Sequence, residues 1–199
     1  MSSLLLSLLS AALLGSGSNP APAPPSPPMR YTGSAVVTYT FDDGPNPENT
    51  PKVLEVLRDH NQKKAIFFLT GQNAQKYPEL VDQIVAEGHT LGAHSWKHDN
   101  LTKMTAAQVK EDFDATLAAI RYPVTYFRAP YGAWSEDSLR EAQEHGLISM
   151  GWSVETLDWK GDEDAAVAAG LAAKPGEIVI LHDVNPGTSE VILRILEGH

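Results

Sequence analysis

From Ser34 onward the chain alternates short β-prone apolar runs with amphipathic helical patterns, and this alternation narrows the possible folds more than any other feature. The runs at 35–41 (AVVTYTF), 65–69 (AIFFL), 90–93, 124–128 (VTYFR), 147–154 (LISMGWSV) and 177–181 (EIVIL) read as strands. The stretches between them carry helix-end signals. Thr50 reads as an N-cap with Pro51 at the first helical position, ahead of a stripe of Val53, Leu54, Val56 and Leu57. Pro78 opens a second helix in which Leu80/Ile84 and Val81/Val85 recur four apart, and Gly88 closes it. Thr105-x-x-Gln108 reads as a capping box. SEDSLREAQEHG, with acids in its first turn and Gly146 at its end, is a further helix, as are DEDAAVAAGLAAK and SEVILRILEG. Strands separated by helices of this length must pair in parallel through βαβ units. The class is therefore α/β. Six to seven units over residues 34–199 suit a small, distorted (β/α) barrel better than the full eight-unit form.

The first thirty residues break the rhythm. Leu4–Leu14 is an apolar stretch followed by GSGS, the pattern of a secretory signal h-region with a cleavage zone, so residues 1–18 are expected to be a signal peptide. A membrane-spanning helix needs about 20 apolar residues, and this stretch is too short. NPAPAPPSPP cannot form helix or sheet ladders, so residues 19–33 read as an extended linker and 34–199 as a single folded domain. The expected location is outside the cell or at the cell wall. A net charge of −10 with no cluster of Lys or Arg argues against nucleic acid or an anionic membrane as partner. The chain has no cysteine, which excludes disulfides, thiolate metal sites and a thiol nucleophile.

In a parallel β/α fold, functional side chains gather just beyond the carboxyl ends of the strands. Asp42 and Asp43 follow the first strand, and His94 and His98 (HSWKH) follow the strand at 90–93. Arg128 ends the next strand, Asp158 and Trp159 come after 147–154, and His182 and Asp183 after 177–181. Asp-Gly-Pro alone is ordinary turn chemistry, but five polar clusters at one end of one sheet are not scattered turns. Two histidines four apart on a helical turn can reach one cation. A carboxylate from the neighbouring strand completes a two-His, one-carboxylate site that polarises a carbonyl and acidifies water. The other carboxylate is then free to accept a proton, and His182 can supply one to a leaving group. Residue types alone leave open which of Asp42 and Asp43 does which. His89 and His145 lie beside helix-ending glycines, where a cation suits the macrodipole. With His60 and His199 they read as structural.

TFDDG, HSWKH, RAPYG, ETLDW and LHD, in that order and spacing, resemble the five motifs of the polysaccharide deacetylases, the NodB-homology domain or carbohydrate esterase family 4. The resemblance implies a distorted (β/α) barrel that removes acetyl groups from a glycan with one divalent metal ion, zinc or cobalt. It assigns Asp42 as catalytic base and Asp43, His94 and His98 as metal ligands. His182 would be the catalytic acid, Arg128 would hold Asp42, and Asp158 would tune His182. The Tyr131 amide would join the oxyanion hole, while Trp159 and Ile180 would line the acetyl-methyl pocket. Glu155 stands where the family usually has Asp, the connection before Val124 is short, and the family's strand after the final helix is missing.

A non-haem iron oxygenase also uses two histidines and a carboxylate, but it has no use for a spare aspartate and an acid histidine. A non-catalytic glycan-binding relative would be expected to lack the base or the acid, and both are present. The expected partner is an acetylated glycan acted on by a monomer. N-acetylglucosamine units of chitin, chitooligosaccharides or peptidoglycan are preferred, with acetylated xylan as the alternative. A protonated leaving group matters more for an amide than for an ester. Tyr131, Trp96 and Trp159 are candidate sugar-stacking faces at the rim.

Overall fold

The computed structural model describes residues 24–61 and 64–198. The expected signal peptide, the start of the linker and His199 lie outside the described residues. Seven strands are present: β1 (Thr38–Asp42), β2 (Ile66–Leu69), β3 (Thr90–Ala93), β4 (Tyr126–Phe127), β5 (Ile148–Ser149), β6 (Val154–Glu155) and β7 (Ile178–His182). The helices are α1 (Thr50–Asp59), α2 (Gly71–Lys76), α3 (Pro78–Ala86), α4 (Ala106–Ile120), α5 (Glu136–Glu144), α6 (Glu163–Leu171) and α7 (Thr188–Glu197). The strands form one sheet in the order β5-β4-β3-β2-β1-β7-β6, and every pairing between them is parallel. This is the distorted (β/α) barrel expected from the rhythm of the chain.

Strand alternation sorts the side chains into two layers. Tyr39, Phe41, Phe67, Leu69, Val179 and Leu181 point outward into the large core under the helices, where Phe41 stacks on Phe67 with ring centroids 5.0 Å apart. Ile66, Phe68, Ile178 and Met150 form a smaller inner cluster. The same period of two turns Thr40 and Asp42 of β1 to the inside. The β1–β7 register sets Asp42 opposite His182, so the barrel delivers both to one rim.

Three local expectations change. The run 147–154 is not one strand. It splits into β5 and β6, which sit at opposite edges of the sheet. Residues 150–153 alone join those edges, so the gap between them spans at most about 18 Å at ~3.5 Å per residue. That short link is what curls the sheet into a barrel. Thr50 is the first residue of α1, with Asn49 in the cap position. Its hydroxyl accepts the Asn46 N–H at 2.7 Å and donates to buried Asp183. His89 is buried, accepts the Ala65 N–H at Nδ1 (3.2 Å), and is pushed down in pKa chiefly by burial. It is a neutral acceptor and not the helix-end cation that its position suggested. The Thr105–Gln108 capping box forms as read.

The segment before β1 packs against the barrel. Met29 N–H donates to Ser149 O (2.8 Å), Gly151 N–H donates to Met29 O (2.7 Å), and Tyr31 bridges to Glu177. No helix among the described residues is long and apolar enough to cross a membrane.

Candidate active site

Each polar cluster read from the sequence arrives at the carboxyl end of the sheet. A cleft of about 450 Å³ opens there, lined by Asp42, Asp43, His94, His98, Tyr131, Trp159, Ile180 and His182 among the residues named above. Arg128 and Asp158 lie beneath its floor. Trp96 does not line the cleft and packs against Gly71, whose missing Cβ leaves room for the indole.

Arg128 is wholly buried, and the floor of the site is built around it. Its Nη1 donates to Asp42 Oδ1 (2.7 Å) and Thr40 Oγ1 (2.8 Å), Nη2 to Gly151 O (2.8 Å), and Nε to Met150 O (3.2 Å). The guanidinium lies over the Phe68 ring, 4.1 Å from its centroid. A buried cation is tolerated only when its donors are satisfied and a counter-charge is near. Here the counter-charge is Asp42. That pair fixes one carboxylate oxygen and leaves Oδ2 toward the cleft, 3.6 Å from His94 Nε2.

Asp43 is held differently. Its φ of 74° is left-handed, a conformation that side chains other than glycine's seldom adopt. Its carbonyl accepts from Asn73 Nδ2 (2.8 Å). The turn swings its carboxylate away from Arg128, so that Oδ1 lies 3.3 Å from His94 Nε2 and 3.4 Å from His98 Nε2. Oδ1 is buried and has no hydrogen-bond partner. His94 donates its Nδ1–H to Arg128 O (2.8 Å), which leaves the Nε2 lone pair facing Asp43 Oδ1. Three acceptor atoms converge on one point, within 4.8 Å of one another, with no donor between them. This donor set fits a divalent cation of the nitrogen- and oxygen-loving kind. Burial lowers the His94 pKa, and the Asp42 and Asp43 carboxylates outweigh burial and raise it, so proton and metal ion compete for the same lone pair.

The two histidines do not sit on a helical turn. Ser95 and His98 have φ of 60° and 65°, and the HSWKH segment is an irregular loop. Main-chain bonds from Gly71 N to Ser95 O (3.0 Å) and Gln72 N to Trp96 O (2.8 Å) hold it, as does the buried Asp112 carboxylate, which accepts from Trp96 N (2.9 Å). Asp43, Ser95, His98, Tyr131 and Leu157, five residues around this rim, are all non-glycine and left-handed. Strained backbone of this kind concentrates where a structure must aim a side chain.

On the far side of the cleft, Asp158 accepts from His182 Nδ1 (2.8 Å), His182 N (2.8 Å) and Thr188 Oγ1 (2.7 Å), with Thr156 Oγ1 farther off at 3.5 Å. Burial pushes the His182 pKa down. The Asp158 hydrogen bond outweighs it, with help from the Asp42, Asp158 and Asp43 charges, and lifts the group to about 9. His182 is thus an imidazolium at neutral pH, with a carboxylate behind it. Tyr131 is the central residue of the 3-10 turn Pro130–Gly132, whose bonds come from the Gly132 and Ala133 N–H groups. Tyr131 is 67% exposed, and Trp159 is 56% exposed. Ile180 is buried against the cleft.

Sequence reading missed Trp152, Leu157 and Asn185, which also line the cleft. Trp152 was hidden inside the run taken for one strand. The neighbouring Gly151 was the available sign of a break.

The polysaccharide deacetylase family model matches residues 30–149. The chain belongs to the polysaccharide deacetylase family. Among similar proteins, a chitooligosaccharide deacetylase of Sinorhizobium fredii is 40% identical over 166 residues, covering 80% of this chain and 77% of that one. A peptidoglycan-N-acetylglucosamine deacetylase of Bacillus cereus is 37% identical over 159 residues, covering 77% of this chain. The chain spans 58% of that relative's length. The structure of a family 4 carbohydrate esterase from Streptomyces lividans, in complex with acetate, superposes with a TM-score of 0.78 at 31% identity, covering 82% of this chain and 87% of that one.

Proposed function

We propose that this chain is a metal-dependent hydrolase that releases acetate from N-acetylglucosamine units of a glycan. The observation that carries the reading is the pairing across one cleft of a three-atom acceptor cluster (Asp43, His94, His98) with a proton-donating His182–Asp158 couple. Zinc is the expected ion, with cobalt as a substitute, and when bound it would polarise the acetyl carbonyl and acidify a water molecule. Asp42 accepts the proton of the attacking water through Oδ2 while Arg128 holds Oδ1. The Tyr131 N–H faces the developing oxyanion. His182 then delivers its proton to the departing nitrogen, so that water and amide become acetate and a free amine. Ile180 and Trp159 enclose the acetyl methyl group.

The amide is favoured over an ester because His182 is charged at neutral pH, and an amine leaves readily only after protonation. Relatives named for chitooligosaccharide and peptidoglycan N-acetylglucosamine deacetylation support the same choice. Residues 34–199 are read as the catalytic domain of a monomer, exported by residues 1–18 through the linker at 19–33, which places its glycan outside the cell or in the wall.

The test is acetate release from chitooligosaccharides before and after chelation, with zinc or cobalt added back, alongside acetylated xylan. Full activity after exhaustive chelation would remove the metal from the reading. A higher kcat/KM on the xylan ester would replace the amide with the ester and leave the residue roles standing.

A further inference from the structure

Residues 29–32 belong to none of the five motifs, yet they touch the support of the active-site arginine. Arg128 is gripped on two sides. One edge of the guanidinium meets Asp42 and Thr40, and the other meets the carbonyls of Met150 and Gly151. Those carbonyls lie in the link between the two edge strands, where regular pairing fails. Met150 N–H is still taken by Phe127 O (2.8 Å) and Ser153 N–H by Ile178 O (3.0 Å). Between them, Gly151 N–H is accepted by Met29 O (2.7 Å), and Trp152 O accepts from Arg30 Nη1 (3.2 Å). The strap is anchored in turn by Met29 N–H to Ser149 O (2.8 Å) and Thr32 N–H to Gly176 O (2.9 Å), one on each side of the barrel gap. The Met29 side chain packs on the inner cluster of Ile66, Phe68, Met150 and Ile178, the same Phe68 that faces the guanidinium.

We propose that residues 29–32 are a positioning element of the active site: the strap sets the Gly151 carbonyl, that carbonyl orients Arg128, and Arg128 orients Asp42. The segment read as the end of a linker thus takes the place of a strand in the barrel gap. The proposal rests on the assignment of Asp42 as base.

The experiment uses the full chain, loaded with zinc, in four variants. Met29→Pro removes the N–H that anchors the strap to Ser149. Arg30→Ala removes the donor to Trp152 O from a side chain whose loss leaves the core intact, and Arg30→Lys restores a donor. Ile195→Val, buried far from the cleft between α6 and α7, reports the effect of general destabilisation. Two quantities are read: kcat and KM on a chitooligosaccharide, and hydrogen exchange at the Arg128 side-chain Nε–H by nitrogen-15 NMR. Met29→Pro and Arg30→Ala are expected to lower kcat about tenfold, the equivalent of one lost hydrogen bond, with KM within about twofold and Arg128 exchange accelerated. Arg30→Lys should recover most of the loss, and Ile195→Val should show neither change. Wild-type kcat and wild-type Arg128 exchange in folded Arg30→Ala and Met29→Pro would overturn the proposal, as would an equal loss in Ile195→Val. Should Met29→Pro fail to fold, the Arg30 pair decides alone. Should the wild-type protein release no acetate, the functional reading fails, and Arg128 exchange still decides whether the strap holds the arginine.

Discussion

Replacing Asp158 by Asn is the most informative single test of the proposed acid, His182. The Asn side chain keeps the volume, and its one acceptor oxygen can stay under the imidazole Nδ1–H. Its NH2 falls where Oδ2 was, so the His182 N–H loses its acceptor while Thr188 Oγ1 turns to His182 O. The charge 2.8 Å from the imidazole is gone. His182 stands at about 9 because its bond to Asp158 and the nearby carboxylates overcome a burial that alone would depress it. Removing an opposite charge in direct contact shifts a pKa by about 1–3 units. A loss of about 2 units takes the acid from about 9 to about 7, so the protonated fraction at pH 8 falls from about nine-tenths to about one-tenth. At pH 6 the fraction barely changes. Rates of acetate release from a chitooligosaccharide, measured from pH 5.5 to 10, should therefore show the alkaline limb of kcat/KM moved down by about 2 units. The loss should be about tenfold at pH 8 and under twofold at pH 6. A cation at Asp43 would lower the limb in both proteins, so the difference between them is the quantity to read. A variant that loses activity by one constant factor at every pH, with the limb unmoved, would refute the claim that Asp158 keeps His182 charged.

The remaining predictions separate the other parts of the site. Asp43→Asn, His94→Ala and His98→Ala should each lose bound zinc, measured by metal content after dialysis, whereas Asp42→Asn should retain zinc and lose about 10²- to 10⁴-fold in turnover; the reverse pattern for the two aspartates would exchange their roles. The metal-free protein should melt at lower temperature as pH rises from 6.5 to about 9. The His182 pKa is raised by folding, so its contribution is fully present below 6.5 and lost through that window, and Asp158→Asn should flatten the slope. Gly44→Ala places a Cβ against the buried Asp183 carboxylate, which is already pinned by Thr50. It should cost about 1–3 kcal/mol and lower the melting temperature by about 2–4 °C per kcal/mol.

What was legible in the sequence, and what was not, follows from what each signal encodes. The strands at 65–69 and 177–181 read clearly because a parallel sheet covered on both faces needs apolar residues at nearly every position, and β2 and β7 are buried along their lengths. The site clusters read clearly because they sit where those runs stop. LISMGWSV misled for the same reason: an unbroken apolar run records burial, not the neighbour with which each half pairs, and its halves pair with β4 and β7 on opposite edges. The helix α2 escaped because GQNAQK has no apolar stripe. It is held by the Thr70 cap, whose Oγ accepts Asn73 N–H at 3.4 Å, and by its packing against α4.

The assignment of the two adjacent aspartates shows where residue types run out. Identical carboxylates next to each other carry no sign of which one meets a metal ion. The sheet separates them. Asp42 is the last residue of β1, and strand alternation sends it inward onto a buried arginine that engages Oδ1 at 2.7 Å. Asp43 is the first residue past the strand, and its left-handed backbone turns it toward His94 and His98. One carboxylate therefore has a fixed positive partner, and the other keeps a buried oxygen with none. A carboxylate already paired with a guanidinium gains less from a cation and keeps its free oxygen for a proton. One without a guanidinium, beside two imidazoles, is stabilised by whichever positive charge occupies that point, a proton on His94 or a metal ion. The proposed base and the proposed ligand differ by one step along the chain, because that step crosses the end of a strand.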